Sequence, residues 1–248
     1  YMSRISELPD DRYLFRYYTH DPWWANSPWL DRYGREANDI YLPMAVARVD
    51  KQGNMHIPTH LNFLSIDDSY GNTPEQVPQE VIPHILQGRR TAPDQPGLTV
   101  WVYPFDEYHD WAQKQPERVE EIYYGDWFVQ QAMNDGFPLN TVVSTTNFVS
   151  LMKQEKDIFS QSVLVSIIPD AGTELEQQFM RFVEHGGKLI LYGPSNHASR
   201  QFLDFLNIKQ DEPLAGELNV RLNMQTDDIR KPDSQILRDN EHMSGVGI

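Results

Sequence analysis

The stretch LTVWVY at residues 98–103 opens the part of the chain that decides the fold. Three more short apolar runs follow at 141–143, 162–168 and 188–192, separated by longer stretches in which apolar residues recur at helical spacing. Short strands that alternate with amphipathic helices are typical of βαβ units around a parallel sheet. The sequence therefore predicts an α/β fold with a mostly parallel sheet and helices on both faces.

Three helices are predicted in this part of the chain. The first covers residues 117–134 and ends before Gly136, which suits a C-terminal cap. The second follows Thr173, a natural N-cap, and stops at Gly186. The third covers residues 197–206. The face that the first helix is expected to bury on the sheet consists of Val119, Ile122, Tyr123, Phe128, Ala132 and Met133.

Residues 1–97 form a predicted N-terminal extension that is rich in aromatic residues. Strand-like runs at 44–49 and 61–66, joined by a turn at 50–54, predict a β-hairpin beside the main sheet. A short helix is predicted over residues 78–87.

The α/β domain is predicted to span residues 98–225, after a boundary at 91–97 where two prolines and a glycine oppose both helix and strand. A run at 217–224 is expected to add one more strand. The tail 226–248 is polar and weakly patterned, so we expect it to be partly disordered. The two ends of the chain indicate a fragment of a longer polypeptide.

The composition limits the expected partners. With 36 acidic and 21 basic side chains, the net charge of −15 repels phosphate backbones and anionic lipid surfaces. Neither nucleic acid nor a membrane is therefore an expected partner. No run approaches the roughly 20 apolar residues of a membrane span, and no signal peptide is recognisable. We expect a soluble protein whose compartment the sequence leaves open, with the cytoplasm slightly favoured.

Residues 98–208 resemble the middle, or trimerisation, domain of the glycoside hydrolase β-galactosidases. The residues that carry the resemblance are the strand at 101–103, the helix end and strand at 133–143, the strand at 163–168 with Pro169 after it, and the run FVEHGGKLIL at 182–191. In that family a strand ending in proline, a helix and a Gly-Gly pair recur on a fold similar to class I glutamine amidotransferases. The resemblance implies a flavodoxin-like or amidotransferase-like fold, a homo-oligomer and a carbohydrate-active context.

The chain departs from these families in two respects. A class I amidotransferase needs a cysteine nucleophile, and this sequence contains no cysteine, so glutaminase activity is excluded. In the β-galactosidases the glycosidase chemistry resides in a barrel that precedes the middle domain, and residues 1–97 are too short for a (β/α)₈ barrel. The resemblance therefore implies a piece of a glycoside hydrolase-like protein without its catalytic barrel.

An aromatic loop is the first candidate site. It contains Trp23, Trp24 and Trp29, and Asp31 and Arg32 follow it. Flat rings stack on pyranose faces while charged side chains bond to hydroxyl groups, so this composition suits a sugar-binding platform. The alternative is that the rings form a core, or an interface to a neighbouring domain.

Acidic residues mark a second candidate site, because Asp67 and Asp68 follow a predicted strand. Two adjacent carboxylates at that place could hold a cation or sugar hydroxyl groups. The alternative is a pair of solvated turn residues.

The third candidate site follows the strand at 98–103. Glu107 and His109 are suited to act as acid and base, and Trp111 to stack on a sugar ring. The alternative is a structural or interface loop. The zinc-binding pattern His-Glu-x-x-His is absent, and neither a metal nor a cofactor is expected.

The sequence leaves three hypotheses for the function. The first is a non-catalytic accessory or oligomerisation domain of a carbohydrate-active protein, in contact with carbohydrate and with other domains of a longer chain. The second is a stand-alone hydrolase that uses Glu107 and His109 with an acid from Asp67 or Asp68. The third is a purely structural interaction module.

Overall fold

The computed structural model describes residues 2–8, 14–18, 46–64 and 76–211. The chain divides into two compact units, Tyr1–Gln210 and Asp211–Ile248, and all the elements named below belong to the first. The predicted strand at 217–224 and the polar tail lie outside the described residues.

The described residues form eight strands and seven α-helices. The strands are β1 (Leu14–Tyr18), β2 (Ala47–Val49), β3 (Met55–His56), β4 (His60–Leu64), β5 (Thr99–Tyr103), β6 (Leu139–Ser144), β7 (Val163–Ile167) and β8 (Lys188–Tyr192). The helices are α1 (Met2–Ile5), α2 (Gln76–Arg90), α3 (Phe105–Lys114), α4 (Val119–Asn134), α5 (Thr145–Lys153), α6 (Glu174–Glu184) and α7 (Arg200–Phe205), with a 3₁₀ turn at Pro116–Arg118.

Six strands form one mixed sheet in the order β3-β2-β6-β5-β7-β8. Five of them run parallel, and β3 pairs antiparallel with β2. The strands β1 and β4 pair in parallel as a separate two-stranded sheet. The prediction of an α/β fold with a mostly parallel sheet is confirmed, and β2 brings residues that precede Leu98 into that sheet.

The sheet has a hydrophobic core on each face, because side chains alternate along β5. Trp101 and Tyr103 point to the face that α3 and α4 cover. Val100 and Val102 point to the opposite face, where Phe148 and other aromatic residues of α5, α6 and α7 pack. A central strand that is buried on both faces in this way reads as a continuous apolar run.

The predicted hairpin has the right turn but the wrong second strand. The carboxylate of Asp50 accepts the backbone N–H groups of Gln52 and Asn54, each at 2.8 Å, and its other oxygen lies 2.7 Å from Nε2 of His56. Because this turn closes within five residues, β2 pairs with β3, which follows at once. The run at 61–66 contributes instead to β4, which pairs in parallel with β1.

The helix ends follow the predicted caps. The hydroxyl of Thr173 accepts the N–H of Glu176 at 3.3 Å and begins α6. Gly136, with φ +94°, ends α4, and the N–H of Phe137 then reaches the carbonyl of Ala132 at 2.9 Å. This pattern requires a left-handed residue, for which glycine carries no steric penalty.

Three helices, the short α1 and the longer α3 and α5, were not predicted. Residues 105–111, expected as a loop, form most of α3, which starts directly after β5. Helix α5 starts directly after β6, where the hydroxyl of Ser144 accepts the N–H of Asn147 at 3.1 Å. Among the described residues, no helix is long and apolar enough to cross a membrane.

Helix α4 covers the sheet as predicted, and Ile122 and Met133 of the predicted face pack against the core, but three other members of that face do not. The predicted core residues Val119, Tyr123 and Phe128 are exposed. The inner face contains instead a stripe with a period close to 3.6 residues. Its members are Ile122, Gly125, Asp126, Val129 and Met133.

Gly125 allows α4 to lie close to the aromatic core. A Cβ atom at this position would lie 2.4 Å from the hydroxyl oxygen of Tyr108 and 3.2 Å from Cε2 of Tyr192. Both tyrosines are buried, so neither ring can move aside without disturbing its neighbours.

Replacing Gly125 by alanine tests this packing. We expect Gly125→Ala to lower the free energy of unfolding by about 1–2 kcal/mol, because overpacking outweighs the gain in helix propensity. Urea denaturation measures the change. The control is Gln130→Ala on the exposed side of α4, which should change stability by less than about 0.5 kcal/mol. A Gly125→Ala protein as stable as the parent would contradict the close approach.

Candidate functional site

The candidate site is the edge of the sheet where β5, β6 and β7 end, because α/β folds commonly bind ligands at the carboxyl ends of their strands. In the sheet, β6 lies on one side of β5 and β7 on the other, so the connections reverse direction between β5 and β7. The polar residues at this edge are Asp106, Glu107, Ser144, Thr145, Thr146 and Asp170.

Two carboxylates of α3 bind the first residues of α5. The hydroxyl of Thr145 donates to Oε2 of Glu107 at 2.6 Å, and the hydroxyl of Thr146 donates to Oδ2 of Asp106 at 2.6 Å. Burial raises the pKa of Glu107 above its ordinary value, and the hydrogen bond from Thr145 offsets only part of that effect. These bonds join the helices that follow β5 and β6.

The guanidinium group of Arg118 fills the space beside β7. It bonds to both oxygens of Asp170, at 2.7 and 3.0 Å, and to both oxygens of Glu121, at 2.9 and 3.0 Å. A further bond of 3.3 Å reaches Oε1 of Gln115. All five N–H groups of the side chain are therefore satisfied within the protein.

Arg118 is also held by an aromatic ring. Its Cζ atom lies 3.5 Å from the ring centroid of Trp111, and only 5% of the arginine side chain is exposed. Burial opposes the charge, but the hydrogen bonds to Asp170 and Glu121 raise the pKa of Arg118 above its ordinary value. No N–H group of this arginine remains for an anionic substrate.

The crevice next to this arginine is small. Tyr108, Trp111, Glu121, Ile167 and Tyr192 line it, together with residues just after β8. Its volume is about 10 Å³, which is the space of about one water molecule. The crevice beside Arg118 is therefore closed to anything larger than about one water molecule.

A cluster of tyrosines lies beneath this crevice, on the α4 face of the sheet. The indole N–H of Trp101 donates to the hydroxyl of Tyr192 at 3.0 Å, and Tyr103 and Tyr108 pack edge to face at 5.6 Å. Burial raises the pKa of Tyr103, Tyr108 and Tyr192. Burial also raises the pKa of the nearby Asp126 from 3.8 to about 6.

The structure separates the predicted residues Glu107 and His109. Both lie on α3, two residues apart, so helical geometry places them on opposite sides. Glu107 faces Thr145, whereas His109 is exposed, with its Nδ1 atom 2.7 Å from the carbonyl oxygen of Phe105. The two side chains are not brought together as an acid–base pair.

Trp111 is buried beneath Arg118, so its ring packs inside the protein. The other seven predicted residues lie outside the described residues. They are Trp23, Trp24, Trp29, Asp31, Arg32, Asp67 and Asp68. Among the described residues, no group of three or more His, Asp or Glu side chains could hold a metal ion.

An exposed aromatic surface on α4 was missed at the sequence level. We call it the α4 aromatic face, and between 46% and 58% of each of its residues is exposed. Its members are Val119, Tyr123, Tyr124, Trp127 and Phe128. The signal that could have revealed it is the buried stripe through Gly125 and Asp126, which forces the large side chains outward.

Removal of the Arg118 guanidinium tests the role of the network. In Arg118→Met, Asp170 and Glu121 remain partly buried without their partner, so we expect a loss of about 2–4 kcal/mol in the free energy of unfolding, somewhat less than for a fully buried pair. Lys114→Met, which removes an exposed pair with Asp110, should cost less than about 1 kcal/mol. Equal stabilities of the two variants in chemical denaturation would refute the role of Arg118.

The raised pKa of Asp126 predicts a pH effect on stability. The folded protein retains the proton up to about pH 6, whereas the unfolded chain loses it near 3.8, so stability falls as the pH rises through this window. Asp126→Asn should therefore be more stable than the parent at about pH 7.5, on the order of 1–3 kcal/mol. The difference should vanish near pH 3, where the carboxyl is neutral in both states. A pH-independent difference in urea unfolding would contradict this explanation.

Comparison with known proteins adds no relative: no protein-family model, curated protein or solved structure matches the chain.

Proposed function

We propose that the chain is a non-catalytic α/β domain of a carbohydrate-active protein, which acts by binding and assembly rather than by turnover. Two observations support the proposal. One is the resemblance of residues 98–208 to the β-galactosidase middle domain, and the other is that the polar groups at the sheet edge bond to one another. It treats the chain as one part of a larger glycoside hydrolase-like protein that associates with further domains and copies of itself.

The closed edge at Arg118 is the observation that carries this proposal. A small-molecule site usually offers a cavity of about 300–1,000 Å³ with convergent polar groups that are available to the ligand. At this edge the crevice has room for about one water molecule. All the N–H groups of Arg118 donate to Asp170, Glu121 and Gln115. The polar residues at the place where a ligand would bind join helices to the sheet.

The strand order supports the finer assignment of the fold. Counted from β5, the order β6-β5-β7-β8 reads 2-1-3-4, which is the order of the first four strands of flavodoxin-like sheets. Such sheets serve many unrelated functions, so the order supports a fold and not an activity. We propose that residues 98–208 adopt this flavodoxin-like arrangement, with β2 and β3 added beside it.

A hydrolase remains the second candidate, because of Glu107. A buried carboxyl group with a raised pKa keeps its proton more readily near neutral pH, as a general acid requires. Against this, glycosidases use two carboxyl groups that flank the sugar at roughly 5–10 Å. Glu107 instead receives a hydrogen bond from Thr145 beneath the edge of the sheet.

Turnover of a panel of nitrophenyl glycosides separates the two candidates. We expect the purified chain to release nitrophenol no faster than buffer does, and Glu107→Gln to behave in the same way. The exposed Glu184→Gln on α6 serves as the matched control. Turnover that Glu107→Gln abolishes and Glu184→Gln retains, with circular dichroism unchanged, would overturn the proposal in favour of the hydrolase.

A further inference from the structure

The α4 aromatic face is an exposed surface that the described sheet and helices leave about half uncovered. Tyr123, Tyr124, Trp127 and Phe128 are each about half exposed, although rings of this size are among the main contributors to protein cores. Contiguous exposed apolar patches of this kind mark binding sites more often than chance exposure does.

The rings are arranged along the helix, and three of them contact other rings. Tyr123 and Trp127 lie one turn apart, as do Tyr124 and Phe128, so the rings follow the helix axis at intervals of about 6 Å. Tyr123 packs edge to face on Tyr124 at 5.4 Å, and Phe128 lies 5.6 Å from the buried ring of Tyr192. These contacts lower the side-chain entropy that Tyr123, Tyr124 and Phe128 lose when a ligand binds.

Polar groups stand at both ends of this platform. Glu120 lies one turn before Tyr123 and Tyr124. Gln131 lies one turn after Trp127, and its Nε2 atom reaches both carboxylate oxygens of Asp135 at 3.4 Å, which leaves its carbonyl oxygen to accept. A carboxylate and an amide accept and donate hydrogen bonds to hydroxyl groups, and the ring faces between them are apolar. A chain of pyranose sugars likewise presents apolar ring faces and hydroxyl groups in alternation.

The charge of the surface narrows the choice of occupant. Helix α4 contains neither lysine nor arginine, and Glu117, Glu120 and Asp135 surround the rings. An anionic polymer or an anionic lipid surface would be repelled. A second copy that presents the same face would bring these carboxylates together, in a chain whose net charge is already −15. An uncharged ligand meets none of this repulsion.

We propose that the α4 aromatic face binds a neutral glycan chain. Successive pyranose rings stack on Tyr123 and Trp127, and Glu120 and Gln131 bond to their hydroxyl groups. This inference rests on the proposed function and deepens it, because it gives the non-catalytic domain a carbohydrate ligand and a place to bind it. The binding needs no pocket, since the ligand lies along an exposed helix.

Titration with neutral oligosaccharides tests the inference, with β-1,4-galactan, xylan, glucan and mannan hexamers as probes. We expect at least one probe to bind with a dissociation constant of about a millimolar or below in calorimetry. Trp127→Ala should weaken that binding at least about tenfold, because the central stacking ring is lost. Trp127→Phe should restore most of the affinity. The control Phe205→Ala removes an exposed ring on α7 and should leave the affinity unchanged.

Three outcomes would overturn the inference. One is the absence of binding to every probe, and another is binding that Trp127→Ala leaves intact. The third is an oligomer of the parent chain, seen in analytical ultracentrifugation, that Trp127→Ala dissociates. The face would then be an interface between copies. None of these results alters nitrophenyl glycoside turnover, so a failure here is distinct from a failure of the proposed function.

Discussion

The fold depends on one buried cation. Arg118 sits at the junction between α3 and α4, and its guanidinium group reaches Asp170 directly after β7. Glu121 and Gln115 complete its hydrogen bonds, and Trp111 covers it. A buried guanidinium is tolerated only when its charge and all its donors are matched, so these residues must lie where they do. The position of two helices on the sheet follows from that requirement.

The same constraint explains why the edge of the sheet is structural. Residues that follow parallel strands converge at one edge, and in many α/β proteins they are left available to a ligand. Here hydroxyl groups from α5 bind carboxylates from α3, and the arginine binds the carboxylate after β7. These polar groups bond to one another, so they are not left available to a ligand at this edge.

Much of the sheet could be predicted from the sequence because its central strands β5, β6 and β7 are buried on both faces. The run at 98–103 is largely apolar, and capping residues such as Thr173 and Gly136 mark the helix ends. Helix α3 was missed although Phe105, Tyr108 and Trp111 recur at a spacing of three residues, because its residues were interpreted as a site loop after the strand. The face of α4 was misassigned because apolar residues lie all round that helix. Its inner face also contains a glycine and an aspartate, which hydrophobic spacing does not identify.

The site was harder to predict from the sequence than the sheet, because it depends on contacts between residues that are distant in the chain. Its position after a strand places Glu107 at the carboxyl edge, but its partner Thr145 lies at the start of α5, after the neighbouring strand β6, and nothing in either segment indicates their contact. The pairing of Arg118 with Asp170 depends in the same way on β7 lying beside β5. Strand order has to be known before such partners can be named.

The insertion of β2 beside β6 has a consequence for how the chain folds. Ala47 pairs with Thr141, and β5, which precedes β6 in the chain, lies on the far side of β6. The hydrogen bonds of β2 can form only after a long loop has closed, and the entropy of that closure precedes any gain from pairing. Contacts of such high sequence separation slow folding, so the unit is expected to complete its sheet from the centre outward, with β2 added after β5 and β6 have met.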